Sequence, residues 1–353
     1  MEYEKSFYLK TSHKRKSYFK TIFSVIVFVT LIVLIPEKSV ISKGYKAFGA
    51  SDSTRAVISI KSKELHTPLY VLDLIPDFVS NEYLVKAGLL YDVESKKIIW
   101  EKEMNRAFPI ASLTKIMVAL LAMEDITDGK TTWETKVVVT KEACLIRGSK
   151  INLRCGETLT ILDLMKSALI ASSNDAAFQL AQYLGGTASN FVDRMNSRAA
   201  SLGMTATFFS NPTGMPSLSK ETDNHSSPAD LLILSSELLK YPEITGISSC
   251  VDGESVKHGV RKSELRNHNR LVCTYRDDVN GLKTGFTNNA GFCIVATANR
   301  KNHRMISIVL GVKNSFVRNS IVANMLNDYY SLIGLGKMGD ARDSGSALVQ
   351  NEE

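Results

Sequence analysis

The sequence contains three short groups of residues whose side chains are suited to acyl transfer. Ser112 and Lys115 lie three residues apart in an apolar run, FPIASLTKIMVALLAME. A serine hydroxyl is a weak nucleophile until a base removes its proton, and a lysine can be that base only when its amine is neutral. Burial among apolar residues and a neighbouring cation both lower the pKa of a lysine. The pair therefore predicts a serine nucleophile that is activated by a lysine.

Two further groups supply polar and cationic side chains. Ser172 and Asn174 follow at the predicted junction of two helices, and Lys283-Thr284-Gly285 follows at the predicted start of a strand. Each group alone is weak, because a helix-capping serine or a lysine that reaches solvent explains it equally well. All three groups in this order, each in a fitting element, form a specific signal for one enzyme superfamily.

The chain resembles the serine penicillin-recognising enzymes, and among them the low-molecular-weight D-alanyl-D-alanine carboxypeptidases. The resemblance runs from about residue 87 to residue 330, and its segments include PIASLTKIM, SSNDAAFQLA, FVDRMNSRAASLGMTATFF, SNPTGMP and GLKTGFTNNAGFCIVATA. It implies an α/β (α+β) fold like that of penicillin-binding proteins and β-lactamases. In that fold an antiparallel sheet is covered by helices and is joined to a mainly helical subdomain.

The resemblance also implies three catalytic residues. Ser112 would attack the carbonyl of the D-Ala-D-Ala bond, Lys115 would take the serine proton, and Ser172 would relay a proton to the leaving amine. Asn174 would hydrogen-bond Lys115 or the substrate backbone. The backbone N–H groups of Ser112 and Phe286 would stabilise the oxyanion.

The remaining implied residues bind the substrate. Lys283 would add a second cation, which lowers the pKa of Lys115 and attracts the terminal carboxylate of the peptide. Thr284 and Thr287 would offer hydroxyls to the same carboxylate. Gly285 would let the peptide approach the strand edge and bind as an added strand.

The implied function is that of a serine DD-carboxypeptidase, which removes the terminal D-alanine from peptidoglycan stem pentapeptides and is inhibited by penicillin and other β-lactams. Endopeptidase or transpeptidase action on cross-links stays open, because the same acyl-enzyme serves all three reactions. A class A-like β-lactamase is disfavoured, because Asp175 and Asp193 are the only acids between Ser172 and Glu221. We expect Asp175 to cap a helix and Asp193 to lie on a helix surface. A silent stem-peptide binder is also disfavoured, because every nucleophile, base and relay position is filled.

Composition argues against several other classes of protein. The apolar fraction of 44% and the charged fraction of 22% are typical of a globular protein, and much of the net charge of +7 lies in residues 1–20. Without a basic patch in the body of the chain, no nucleic-acid partner is expected. The histidines and five cysteines lack metal-ligand spacing, so neither a metal nor another cofactor is expected. Small buried thiols are favoured over disulfides.

The amino terminus resembles an export signal. A basic head, residues 1–20, precedes a predicted signal peptide or N-terminal membrane anchor, residues 21–36, whose uncharged run is Ile22–Ile35. As a helix this run would span about 21 Å, less than the roughly 30 Å of a bilayer core. The basic head favours a cytoplasmic start and export of the rest. The protein is therefore expected in the periplasm or at the outer face of the cytoplasmic membrane, attached through this segment if it is uncleaved.

The rest of the chain divides into a linker, residues 37–80, a penicillin-binding catalytic domain, residues 81–334, and a disordered tail, residues 335–353. Alternating apolar residues predict a hairpin near each end of the catalytic domain, at AGLLYDVESKKIIWEKE and GFCIVATANRKNHRMISIVLGV. A helical insertion is predicted at about 125–250, and SFVRNSIVANMLNDYYSLIG is predicted to be the last helix. One sheet should therefore be built from both ends of this domain.

Overall fold

Strands from both ends of the described chain form one antiparallel sheet. The structure is a computed structural model, and it describes residues 84–216, 222–251 and 253–339. The described residues form eleven strands: β1 (Ala87–Asp92), β2 (Lys97–Lys102), β3 (Phe108–Pro109), β4 (Lys136–Val138), β5 (Thr158–Thr160), β6 (His225–Ser226), β7 (Ser255–His258), β8 (Arg261–Glu264), β9 (Val279–Thr287), β10 (Gly291–Arg300) and β11 (His303–Val312). The main sheet has the order β2-β1-β11-β10-β9, with β9 at one edge. The predicted sheet is therefore confirmed.

Along the chain, most helices fall between the strands that form the first part of the main sheet and those that form the last part. Those of the described residues are α1 (Lys115–Thr127), α2 (Lys141–Leu145), α3 (Ile161–Leu169), α4 (Asn174–Gly185), α5 (Ala188–Ser201), α6 (Pro228–Leu238), α7 (Pro242–Ser248), α8 (Arg270–Thr274) and α9 (Ser315–Leu332). All but α9 fall between β2 and β9, and α9 follows β11 as predicted. The predicted fold class, a mixed fold with an antiparallel sheet and covering helices, is confirmed.

The sheet is buried on both faces. Adjacent residues of a strand point to opposite faces, so Leu89 and Leu90 of β1 enter different cores. Leu89 packs in the larger core, which includes Ile116 of α1, and Leu90 packs in the smaller core, which includes Met325 of α9. The larger core extends into the helical part of the chain, so helices and sheet hold each other in place.

Short sequence patterns predicted several helix ends correctly. Thr160 caps α3 in a capping box, in which its hydroxyl accepts a hydrogen bond from the Asp163 N–H at 3.1 Å and the Asp163 carboxylate accepts one from the Thr160 N–H at 3.2 Å. Helix α4 ends at Gly185, and Gly186 has a positive φ of 71°. Such conformations favour glycine.

In the apolar run that carries Ser112 and Lys115, Ala111–Thr114 form a 3-10 turn and α1 begins at Lys115. The prediction for the position of the third motif is wrong. Lys283-Thr284-Gly285 lies inside β9 rather than at its start, because the strand extends back to Val279. Glycine and asparagine at the beginning of this strand have low β-propensity, which hid its true start from sequence reasoning.

The predicted disorder from residue 335 onward is wrong for residues 335–339. The carbonyl of Leu335 accepts a hydrogen bond from Arg300 Nε at 3.0 Å, Met338 is buried, and the Gly339 N–H donates to Asp278 at 2.9 Å. These contacts tie the segment to β10 and to the loop before β9. The predicted head, anchor and linker, residues 1–80, and the tail from residue 340 lie outside the described residues.

Within the described ranges, no helix combines the length and the apolar composition needed to cross a membrane. The five cysteines all lie in these ranges as unpaired thiols. Cys293 alone is buried, whereas Cys155 is exposed and the other three are intermediate. The prediction of buried thiols therefore holds for Cys293 and is wrong for Cys155.

Candidate active site

The three sequence motifs converge on one cleft between the sheet and the helical part. The cleft has a volume of about 590 Å³. Seven of the predicted site residues line it: Ser112, Ser172, Asn174, Thr284, Gly285, Phe286 and Thr287. The two predicted lysines, Lys115 and Lys283, lie behind this lining and are buried. All nine predicted residues are therefore brought together, seven at the surface of the cleft and two beneath it.

Ser112 is presented by a strained and closely packed turn. Ala111, immediately before it, has a φ of 48°, which is uncommon for a residue with a side chain. Gly214 lies against the Ala111 carbonyl so closely that a Cβ there would collide with the backbone. On the other side, a Cβ on Gly285 would lie 2.8 Å from the Ile110 carbonyl oxygen and 3.1 Å from the Ser112 nitrogen. Two glycines thus permit the backbone contacts that hold the nucleophile.

Lys115 is completely buried, and its amine is surrounded by neutral oxygen atoms. Its Nζ lies 2.9 Å from Ser112 Oγ, 2.8 Å from Asn174 Oδ1 and 2.7 Å from the Thr213 carbonyl oxygen. The carbonyl and amide oxygens can only accept hydrogen bonds, whereas the serine hydroxyl can also donate one. A neutral amine has two N–H donors and one lone pair. It therefore satisfies all three partners when Ser112 donates its proton to the lone pair.

Electrostatics favour the neutral amine of Lys115. Burial is the largest cause that lowers its pKa well below the usual value of 10.5, and the nearby cation of Lys283 lowers the pKa further. The Asp175 carboxylate acts in the opposite direction without reversing the shift. The geometry and the pKa of Lys115 therefore agree with the role of a general base.

The junction between α3 and α4 supplies Ser172 and Asn174. The Asn174 amide nitrogen donates to the Arg147 carbonyl at 2.8 Å, which fixes the orientation of the amide and turns its oxygen towards Lys115. Ser172 has a φ of 57°, and its hydroxyl makes no hydrogen bond to another described residue. A strained residue with an available hydroxyl in a cleft is suited to contact a substrate.

Asp175 and Asp193 have structural positions. The Asp175 carboxylate is buried and accepts hydrogen bonds from the N–H groups of Ile151 at 3.3 Å and Leu153 at 3.0 Å. It also bonds the N–H of Ala176 in its own helix, although the N-cap of α4 is Ser173, not Asp175 as expected. Asp193 is exposed on α5, as expected.

The SNPTGMP segment has a defined task in this site, because it delivers the Thr213 carbonyl to Lys115. The side chain of Asn211 organises the loop by accepting hydrogen bonds from the N–H groups of Thr213 at 3.1 Å and Gly214 at 2.8 Å. The loop therefore places an acceptor on the lysine and a glycine on the turn of the serine.

Strand β9 forms one wall of the cleft at the edge of the sheet. The Phe286 side chain is about half exposed, and its ring stacks on Phe292 at a centroid distance of 4.2 Å. The Thr287 hydroxyl accepts a hydrogen bond from the Ala290 N–H at 3.0 Å and keeps its own proton for another acceptor. An edge strand with hydroxyls and a glycine is suited to bind an extended peptide.

A second buried lysine and an arginine lie at the far end of this wall. The Lys283 amine donates to the Thr284 carbonyl at 2.9 Å, and burial together with Arg318 lowers its pKa to about 7. Arg318 of α9 lines the cleft, and burial lowers its pKa to about 10. It donates to the Cys293 carbonyl and to Asn319 Oδ1 through three of its N–H groups. Two of its five N–H groups are left for an anion in the cleft.

Sequence reasoning missed the contributions of Thr213 and Arg318. Thr213 acts through a backbone carbonyl, for which no residue type is diagnostic, although its segment was already part of the resemblance. Arg318 lies on the last helix, where a single arginine has no motif around it. Three further cleft residues were also missed: Arg266, His268 and Arg270. The pattern RNHNR, in which basic residues alternate with asparagines, was the sequence signal that could have identified these three residues.

No cluster of histidine, cysteine and acidic side chains in the described ranges could hold a metal ion. Residues 79–314, about two thirds of the chain, match the D-alanyl-D-alanine carboxypeptidase family. The chain belongs to this family.

The similarity extends to individual members of the D-alanyl-D-alanine carboxypeptidase family. DacF of Bacillus subtilis (strain 168) is 36% identical over 246 residues, which cover 70% of this chain and 62% of DacF. A D-alanyl-D-alanine endopeptidase of Escherichia coli (strain K12) is 30% identical over 228 residues, which cover 64% of this chain and 70% of the relative. The chain spans about three fifths of the length of DacF.

The fold is also shared with a solved structure, penicillin-binding protein D2 of Listeria monocytogenes in its ampicillin-bound form. The identity is 30%, the TM-score is 0.60, and the match covers 68% of this chain and 94% of the Listeria chain. Family membership and this shared fold agree with the resemblance that the three motifs suggested.

Proposed function

We propose that this protein is a serine DD-carboxypeptidase that removes the terminal D-alanine from peptidoglycan stem pentapeptides. The observation that carries the proposal is the buried Lys115 amine, 2.9 Å from the Ser112 hydroxyl and with its pKa lowered well below 10.5. A lysine in this state is suited to accept the serine proton. Family membership supports the substrate class.

In the proposed acylation step, Ser112 Oγ attacks the carbonyl carbon of the D-Ala-D-Ala bond while Lys115 Nζ accepts the hydroxyl proton. The backbone N–H groups of Ser112 and Phe286 stabilise the oxyanion, and each such donor contributes roughly 2.7–4 kcal/mol in comparable sites. The intermediate then expels the amine of the terminal D-alanine, which receives a proton through Ser172. Water finally hydrolyses the ester and restores Ser112 and Lys115.

Substrate binding is assigned to the wall formed by β9. Asn174 orients the Lys115 amine and faces the substrate backbone from the opposite side of the cleft. Gly285 lets the peptide lie against the strand edge. The terminal carboxylate is assigned to the hydroxyls of Thr284 and Thr287, with Arg318 as an additional donor.

The remaining cation in the proposed site is Lys283. It lies behind Thr284 and strengthens the positive potential at the carboxylate. It also lowers the pKa of Lys115. One buried cation thus serves both substrate binding and activation of the base.

Penicillin is proposed to inhibit this protein by acylating Ser112. The Listeria relative was solved with ampicillin bound, and its fold is shared. Class A β-lactamases deacylate through a glutamate after the second motif, whereas Asp175 is committed to backbone N–H groups and Asp193 is exposed on α5. Without such a base the penicilloyl-enzyme should persist.

Endopeptidase action on cross-links is the second candidate, because a relative with that name covers 64% of this chain. Both reactions use the same acyl-enzyme, and they differ in the leaving group. Export, and attachment to the membrane through residues 21–36, remain part of the proposal. The cell wall outside the cytoplasmic membrane is where the proposed substrate lies.

The test uses a fluorescent penicillin and a peptide that ends in D-Ala-D-Ala. We expect the wild type to be labelled covalently and to release D-alanine, and we expect Ser112→Ala to do neither. Ser149→Ala, which removes another serine of the same cleft, should do both. Absence of label on the wild type would reject the proposal, and steady hydrolysis of penicillin would favour a β-lactamase. Release from a cross-linked dimer but not from the pentapeptide would favour the endopeptidase.

A further inference from the structure

The hairpin formed by β7 and β8 carries two lysines and a valine on its exposed side. Gly259 and Val260 form a two-residue turn between the strands. Lys257 and Lys262 lie directly opposite each other, close to this turn, and both are exposed. Val260 is the most exposed large hydrophobic side chain among the described residues. The hairpin therefore ends in an aliphatic tip with a pair of cations behind it.

The stability of the hairpin does not explain these side chains. Like charges directly opposite each other on neighbouring strands are destabilising, and tight turns favour glycine, asparagine, aspartate, serine and proline over valine. Neither Lys257 nor Lys262 forms an ion pair with another described residue. The one acid of the hairpin, Glu264, is the last residue of β8, away from the turn. Local choices that oppose folding are expected where a surface has a function.

The inner face of the hairpin is fastened to the loop before β5. Arg261 donates to the two carboxylate oxygens of Glu157 at 2.7 and 2.6 Å, and to the Asn152 carbonyl at 3.1 Å. His258 is buried on the same face, and its Nε2 lies 2.7 Å from the Ser263 hydroxyl. The hairpin is thus held from one side, and its outer face with the two lysines is left to solvent.

The loop before β5 adds a third cation beside the hairpin. Arg154 is exposed, and its guanidinium group has no ion-pair partner within the described part of the chain. Its backbone N–H donates to Glu157 at 2.8 Å, so it belongs to the turn that Arg261 binds. Three cations near an aliphatic tip match an anionic lipid surface, because the tip can enter the bilayer boundary while the cations contact the headgroups. An anionic polymer in solution would use the cations but not the tip.

We infer that the β7–β8 hairpin docks on an anionic membrane surface, with Val260 inserted among the lipids and the three cations at the headgroups. Lys262 is two residues from Val260, so its Cα lies roughly 7 Å behind the tip. Apolar groups of interfacial elements enter the bilayer to a similar depth, about 5–10 Å, and lysine side chains reach back to the headgroups. This surface is separate from the predicted anchor, residues 21–36, and it does not depend on the proposed reaction.

Docking through this hairpin would bring the cleft close to the membrane. Arg266 lines the cleft and follows Val260 by six residues, which span at most about 22 Å. One wall of the cleft therefore lies within that distance of the inserted tip.

The test is lysine acetylation of the full-length protein, read out by mass spectrometry. The reagent is the uncharged N-hydroxysuccinimide ester of acetic acid, and the vesicles contain phosphatidylcholine alone or with an equal part of phosphatidylglycerol. We expect phosphatidylglycerol to slow acetylation of Lys257 and Lys262 roughly tenfold, since each cation at an anionic surface favours the docked state about fivefold. Lys96 and Lys301, exposed lysines at turns of the main sheet, are the matched controls and should react at unchanged rates.

Val260→Ser should lose most of this protection, because it removes the apolar tip and no charge. Phe316→Ser, which removes another exposed apolar side chain from α9, should keep it. Equal acetylation rates with and without phosphatidylglycerol, or equal protection of Lys96 and Lys301, would overturn the docking surface. Wild-type protection in Val260→Ser would also overturn it, because the contact would then depend on charge alone. Protection by soluble polyphosphate but not by vesicles would overturn it in favour of an anionic polymer.

Discussion

The three hydrogen-bond partners of the Lys115 amine are uncharged oxygen atoms, so none of them would neutralise the positive charge of a protonated amine. Its three hydrogen-bond partners are a hydroxyl, an amide oxygen and a backbone carbonyl oxygen. A buried ammonium group without a carboxylate partner is costly, so the group releases its proton instead. The serine hydroxyl is the partner that can exploit the resulting lone pair, and this makes the pair chemically competent.

Replacement of Lys283 should change the pH dependence of acylation by penicillin. Lys283 is cationic below its pKa of about 7, and its charge lowers the pKa of Lys115. In Lys283→Gln the pKa of Lys115 should rise, and the acid limb of the acylation rate should move to higher pH by roughly one unit or more. Lys283→Arg retains a cation and should leave that limb in place. Stopped-flow acylation rates measured across pH would contradict this account if the glutamine variant showed the wild-type profile.

At the scale of elements, the decisive feature is how closely β9 approaches the turn before α1. Only a glycine at position 285 allows this approach, because a Cβ would lie 2.8 Å from the Ile110 carbonyl oxygen. The approach sets the distance between the Ser112 and Phe286 N–H groups, on which the proposed oxyanion stabilisation depends. The strand is therefore a structural part of the site, in addition to its proposed role in substrate binding.

Gly285→Ala should reduce the acylation rate much more than it reduces stability. The added methyl group forces β9 away from the turn, and loss of one oxyanion donor costs roughly a hundredfold or more in rate. Overpacking of this kind costs about 1–3 kcal/mol of unfolding free energy. Gly246→Ala in α7 is the matched control, because its Cβ would meet no atom within 4 Å. The acylation rate is measured with penicillin, and the unfolding free energy is measured with urea. A wild-type acylation rate in the Gly285 variant would contradict this explanation.

At the scale of the whole molecule, the site depends on segments from nearly the full length of the described chain. Ser112 follows β3, Ser172 lies between α3 and α4, Lys283 is on β9 and Arg318 is on α9. The sheet joins the first hairpin to the last through the pairing of β1 with β11. Site geometry and global stability are therefore coupled, and this coupling includes the segment after α9.

A chain truncated after residue 334 should be less stable than one truncated after residue 339. The shorter chain loses the buried Met338 side chain and the hydrogen bonds of Leu335 and Gly339. Burial of one methionine contributes about 1.5–3 kcal/mol, so the difference should be of this order. Urea unfolding of the two chains measures it. Equal midpoints would mean that residues 335–339 contribute nothing to the fold.

The sequence predicted those features that are encoded locally. Serine, lysine and asparagine in ordered motifs predicted which side chains meet at the cleft, and alternation of apolar residues predicted both hairpins. The Thr213 carbonyl and Arg318 escaped prediction, because each reaches the site only through tertiary contacts; Thr213 and Lys115 are 98 residues apart in sequence. The order of residues 335–339 was missed for the same reason, since a five-residue segment with two glycines shows no periodicity before its partners are known.

The most direct test of the account is the titration of Lys115 itself. In protein labelled with 13Cε-lysine, the Lys115 resonance can be assigned by its absence from Lys115→Arg, and that of Lys283 by its absence from Lys283→Gln. We predict that the Lys115 amine loses its proton well below the usual pKa of 10.5. A Lys115 resonance that titrates at or above 10.5 would contradict the claim that this residue is the base for Ser112.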